Sequence, residues 1–150
     1  MKKPSRNIVA ILVLLVFALG TFVYAASMLG TVRTGTITVY GLNAGASVST
    51  DGTTWSALGA DLDIALGTNV YVRLQTTDVG ISSPISITWV IYLEGLEVTT
   101  LTDYTTATLD GTSGQLIYCS PDGTTTSLLN WLTYMTDYGT YEIEAIVNIP

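Results

Sequence analysis

An uncharged stretch runs from Asn7 to Val32, directly behind Lys2, Lys3 and Arg6. It constrains this chain more than any other feature, because it decides on which side of a membrane the remaining residues fold. Basic residues followed by the apolar run Ile8–Phe17 predict an N-terminal hydrophobic helix, either an export signal or a membrane anchor. The stretch then reads Val23-Tyr24-Ala25 ahead of Ala26-Ser27, which offers a signal peptidase small residues and a cut after Ala25. The apolar part, Ile8 to Gly30, also meets the roughly 20 residues needed to span a bilayer. Both readings stay open: residues 1–25 meet a signal peptidase or remain in the membrane. In either case the residues after Ala26 lie outside the cytoplasm, because positive charge stays inside.

Charge excludes several functions once this leader is set aside. Beyond Arg6 only Arg33 and Arg73 are basic, against 12 acidic residues, and there is no His. So acidic a surface repels phosphate backbones and predicts no nucleic-acid partner. Cys119 is the single cysteine. It cannot form an intrachain disulfide, and its setting in Leu116-Ile117-Tyr118-Cys119 predicts a buried, inert thiol.

Residues 26–150 are rich in Thr and Tyr, which suit a pleated, half-buried surface, and are long enough for one domain with its own core. Thr36–Tyr40 reads as a strand. Ala46–Thr50 meets Asp51-Gly52, a strong hairpin signal, with Thr53–Leu58 returning from it. Asn69–Thr76 alternates Val70, Val72 and Leu74 against Tyr71 and Arg73. Ile85–Leu93 places Ile85, Ile87, Trp89, Ile91 and Leu93 on one face and a half-apolar set on the other, as a central strand requires. Thr105–Leu109 and Gln115–Cys119 flank Asp110-Gly111 and Ser113-Gly114, a second predicted hairpin. Leu128, Leu132 and Met135 repeat at helical spacing and predict a two-turn helix over Ser127–Met135. The last strand, Tyr141–Ile149, puts Tyr141, Ile143, Ala145, Val147 and Ile149 on one face. Strands at this spacing predict an all-β fold, an Ig-like antiparallel β-sandwich with a jelly-roll arrangement as the alternative. The domain plan is therefore a leader over 1–25, an N-terminal extension over 26–40, and a β-sandwich over 41–150.

Catalytic chemistry is poorly supplied. Without His, no Ser-His-Asp, Cys-His or His–metal arrangement is possible within one chain. Without Lys beyond Lys3, Schiff-base chemistry and lysine-containing phosphate loops are excluded. Glu142 and Glu144 share one strand face, and Glu94 and Glu97 flank a turn. Neither pair implies the cleft that a glycosidase needs, so no enzyme activity and no cofactor is expected. Asp51, Asp61 and Asp63 are the only candidates for a hard cation such as Ca²⁺, and their spacing fits no defined loop; ordinary turn aspartates are the plainer reading. Trp55, Trp89 and Trp131 read as packing residues rather than a sugar platform, with Trp55 the one placed for exposure.

Interaction remains. A basic leader, a Val-X-Ala cut, the strand Thr34-Gly35-Thr36-Ile37-Thr38-Val39, a Thr/Tyr-rich sandwich and the closing Gly139-Thr140-Tyr141-Glu142-Ile143-Glu144-Ala145 recur together in certain filament subunits. In this layout the chain resembles archaeal thread-like pili and the bundling pili of the TasA-like type. The resemblance implies homopolymers built by donor-strand complementation, with Thr31–Tyr40 as the donor. Val32, Thr36, Ile37, Thr38, Val39 and Tyr40 would carry the contact, and the inserted part narrows to Thr36–Tyr40. It implies a structural, extracellular, head-to-tail filament subunit whose partner is itself. The alternative is a membrane-anchored surface or adhesion domain that keeps its leader. Mass spectrometry of the mature N-terminus separates the two: Ala26 is expected for the filament subunit, Met1 for the anchored domain.

Overall fold

Alternation of β-branched and small polar residues, broken by Gly turns, makes strands the main regular structure of the described residues. The computed structural model describes residues 31–33, 37–40, 42–77 and 80–150; these belong to one compact unit, Thr31–Pro150. The leader and Thr36 lie outside the described residues. Among the described residues, no helix is long and apolar enough to cross a membrane. The strands are β1 (Thr31–Arg33), β2 (Ile37–Tyr40), β3 (Ala44–Ser49), β4 (Asp63–Ala65), β5 (Tyr71–Thr76), β6 (Pro84–Leu93), β7 (Leu96–Thr108), β8 (Leu116–Tyr118) and β9 (Tyr141–Asn148).

They form a four-stranded sheet in the order β2-β9-β6-β7, a three-stranded sheet β3-β5-β8, and the pair β1-β4. Neighbours run antiparallel except β2, which lies parallel to β9. Alternate side chains of both larger sheets meet in one core. Val48, Val72 and Leu74 come from one sheet, and Ile87, Trp89, Ile91, Ile143 and Ala145 from the other. This is an all-β sandwich, as the strand spacing predicts. Trp89 lies edge-on to Trp131 at 6.2 Å, and its indole N–H donates to buried Thr105 Oγ1 at 3.0 Å. At the start of β9 the Tyr141 hydroxyl donates to the Asp137 carbonyl and accepts from the Asp137 amide, both at 3.0 Å. That fold-back fixes the angle at which the chain enters β9.

Three local expectations fail, each for a backbone reason. The expected two-turn helix over Ser127–Met135 shrinks to one 3-10 turn, Trp131–Thr133. Trp131 N–H, which a helix here would give to the Ser127 carbonyl, donates instead to the Val70 carbonyl beside β5, and Leu129 N–H is tied to the Cys119 carbonyl beside β8. The segment after Asp51-Gly52 does not become a strand, although Ser56 and Gly59 N–H groups still reach the Val48 and Ala46 carbonyls. Third, β7 and β8 are not a hairpin, since β7 pairs with β6 and β8 with β5. A two-residue hairpin of type I′ needs positive φ at both central residues. Asp51 and Asp110 lack it, while Glu94 (φ 50) and Gly95 (φ 79) have it. Glu94-Gly95 is therefore the turn that joins β6 to β7, pairing Leu93 with Leu96.

Ile87 is fully buried and Leu96 is 76 % exposed. Ile87→Ala should lower unfolding stability by about 2–5 kcal/mol, whereas Leu96→Ala should change it by no more than about 0.5 kcal/mol. Urea titration followed by tryptophan fluorescence measures both.

Candidate assembly edge

β9 is the strand around which the assembly question turns. Its inward residues Tyr141, Ile143, Ala145 and Val147 are buried, while Glu142, Ile146 and Asn148 are exposed. One side of β9 is filled along its length by β6, from Leu93↔Tyr141 to Ser86↔Asn148. Among the described residues the other side is met only by β2, over Ile143–Ile146, in the register Ile37↔Ile143, Thr38↔Glu144, Val39↔Ala145 and Tyr40↔Ile146. The residues singled out for polymerisation thus divide. Ile37, Thr38, Val39 and Tyr40 sit together on β9, but Val32 belongs to β1, opposite Ile64 of β4. No sequence signal predicts that parallel pairing, because it joins residues far apart in the chain.

β2 becomes the end strand of its sheet; the edges at β3, β8 and the last part of β7 are met by the chain's own loops. Along β3, Ser56 N–H donates to Val48 O and Gly59 N–H to Ala46 O, each at 2.8 Å, and Ser56 Oγ accepts from Val48 N–H at 3.0 Å. Thr106 N–H of β7 donates to Pro121 O at 2.9 Å, and Tyr118 N–H of β8 donates to Gly123 O at 2.9 Å. The rest of β7 is irregular, with register shifts between Ile87 and Trp89 and between Ile91 and Tyr92 of its partner β6. Asp103 sits there at φ 47; its amide donates to Thr88 Oγ1 at 3.0 Å, and its carboxylate accepts from Ser86 Oγ at 2.6 Å. Such bulges discourage strand addition.

The candidate cation ligands are not brought together. Asp51 Oδ1 accepts from the Thr53 and Thr54 amides at 2.7 Å each and from Ser49 Oγ at 2.9 Å, while Asp61 and Asp63 are exposed. Among the described residues no group of three or more metal-ligating side chains converges. Sequence reading missed a repeated device that Asp51 shares. The tripeptide Asp-Gly-Thr occurs at 51–53, 110–112 and 122–124. Each aspartate accepts the amide two residues on, an Asx turn. Those amide and hydroxyl donors hold the carboxyls of Asp51, Asp110 and Asp122 below the ordinary aspartate range.

The remaining candidates are structural. Trp55 is covered by the Arg73 guanidinium, 4.5 Å from its ring centroid, and by the edge of Tyr118 at 5.6 Å. Burial pushes the Cys119 thiol up well above its usual range. Tyr92 OH donates to Glu144 Oε2 at 2.9 Å, Thr100 Oγ1 to Glu97 Oε1 at 2.7 Å, and the Thr140 amide to Glu94 Oε1 at 2.7 Å. An open cavity of about 600 Å³ between Pro84, Thr106, Asn148 and Pro150 has Asp122 as its one lining carboxylate. Comparison with family models, with curated proteins and with solved structures gave no match.

The lowered aspartates fix the sign of the acid response. Their stabilising contribution is present above the unfolded value, near 3.8, and is lost as pH falls toward the lower folded values. Thermal melting should therefore drop below about pH 4. Replacing Asp51, Asp110 and Asp122 together by Asn, which keeps an acceptor oxygen, should flatten that drop.

Proposed function

We propose that this chain is a structural subunit of an extracellular, pilus-like filament, with an Ig-like sandwich as its body and its N-terminal strand as the joint. One observation carries the reading: β2, the first strand of its sheet in chain order, is the one strand among the described residues that covers the second side of β9. If β2 left, β9 would present a row of unpaired amides and carbonyls, and β2 of another copy carries the sequence that fits it. Main-chain pairing would supply affinity, and alternate side chains would supply specificity. Each subunit then gives a strand at one place and receives one at another. That heterologous contact does not close, so it extends as a fibre. No nucleotide, metal or cofactor is required.

Two further features support the Ig-like body. Sheets of four and three strands suit that fold better than the eight strands of a jelly roll. The Tyr141 hydroxyl, folded back onto residue 137, resembles the tyrosine corner of such sandwiches. Extracellular placement rests on the basic, then apolar, leader. A second reading, an anchored surface or adhesion domain, is favoured by the pairing of β2 within its own chain, since that pairing completes a single domain.

Deleting residues 26–40 tests the proposal. The shortened chain should be exported and folded but should form no filaments by electron microscopy, whereas the full chain forms filaments that resist dissociation in warm detergent. Normal polymerisation of the shortened chain would overturn the joint.

A further inference from the structure

One short loop closes the far side of the sandwich. After β8 the chain turns through Ser120–Thr124 and touches both sheets. The Pro121 carbonyl accepts from the Thr106 amide of β7 at 2.9 Å and from Thr106 Oγ1 at 3.1 Å. Two residues on, the Gly123 carbonyl accepts from the Tyr118 amide of β8 at 2.9 Å. These are the outward-facing amides of the edge strands of the two different sheets.

The loop is held in shape by its own side chains. Asp122 Oδ1 accepts from the Thr124 amide at 3.1 Å, from Thr124 Oγ1 at 2.9 Å and from Ser120 Oγ at 3.1 Å. Ser120, which is fully buried, also donates to the Thr124 carbonyl at 2.8 Å. Gly123 has φ +70, and a Cβ there would lie 3.0 Å from Ala107 Cβ and 3.4 Å from Ile117 Cγ2. Only glycine lets the loop lie this close to both sheets.

We infer that Ser120–Thr124 is an edge clasp: it covers a strand-accepting seam at β7 and β8 and so keeps strands of other copies off that side. The occupant it excludes is an extended strand of a second copy of this chain. Edge strands with free amides are ready templates for such addition. Bulges guard the first part of β7, but the part near Thr106 is regular, pairing Pro84–Ile87 with Thr105–Thr108, and there only the clasp intervenes. This deepens the proposed function, from which it takes only that copies of the chain meet through strands. With the far seam closed, a thread built at β9 does not branch through β7 and β8.

Two variants of the full chain test the clasp. Gly123→Val forces a β-branched residue into positive φ and against Ala107. Asp122→Ala removes the carboxylate tie without adding bulk. Amide exchange at Thr106 and Tyr118 should rise at least about tenfold, while Ile87 and Ile143 keep their protection. Both variants should then associate side by side, as sheets or branched threads, where the unaltered chain does not. Opened amides without new association would overturn the clasp, as would amides that stay closed in both variants. Loss of Ile87 protection in both would overturn it too, by making the loop part of the core. Failure of the unaltered chain to form filaments would count against the proposed function alone, because the variants must still convert monomers into associated material.

Discussion

An unpaired strand edge is the constraint on which this structure depends. A two-layer β fold of this kind has edges at which amides and carbonyls point outward with no partner, and each is a place where another chain can pair. The molecule deals with four of them by different means: a returning loop on β3, the Ser120–Thr124 loop on β7 and β8, bulges on the rest of β7, and strand β2 on β9, which makes β2 the end of its sheet. The first three covers use backbone close in sequence to the edge concerned. The fourth reaches across the chain, from residues 37–40 to residues 143–146.

Loops tied into the core are costly to displace. Gly123 is wedged between Ala107 and Ile117, and the loop after β3 puts Leu58 within 3.1–3.3 Å of the Cβ position of Gly45. Strand β2 is short by comparison and lies at the end of its sheet. The core is packed mainly from apolar side chains of both larger sheets. Its buried polar groups Ser49, Thr76, Thr105 and Ser120 are each tied to a neighbour, and its cysteine is sealed inside. The carboxylates are spread over turns and outer faces, where they solvate the surface and cap the backbone.

Much of this was legible in the sequence where one face is buried and the other wet. β5, β6 and β9 announce themselves because Val72 and Leu74, Ile85 through Ile91, and Tyr141 through Val147 alternate with polar residues. β7 did not, beyond its last few residues, because an edge strand that buries neither face has no apolar side to keep time: its first nine residues, Leu96–Tyr104, are all exposed or half-buried. The helical spacing of Leu128, Leu132 and Met135 misled, since periodicity says nothing of where backbone amides find acceptors. Asp-Gly misled in the same way: the aspartate side chain took the turn's amides and left the tight hairpin to Glu94-Gly95. The Asp-Gly-Thr repeat was visible as letters, but its role depends on hydrogen bonds that letters do not carry. The neighbour of β2 could not be read at all, because parallel pairing across a hundred residues leaves no local mark.

The most direct measurement asks whose β9 a given β2 occupies. In a Cys119→Ser background, one chain carries Thr38→Cys and another carries Glu144→Cys, the two positions being register partners. The two are mixed, assembled and oxidised. Exchange of β2 between copies predicts a disulfide joining the two different chains in filament material. The account is contradicted if filaments form, the mixture shows no such bond, and a chain carrying both cysteines closes the bond only within itself.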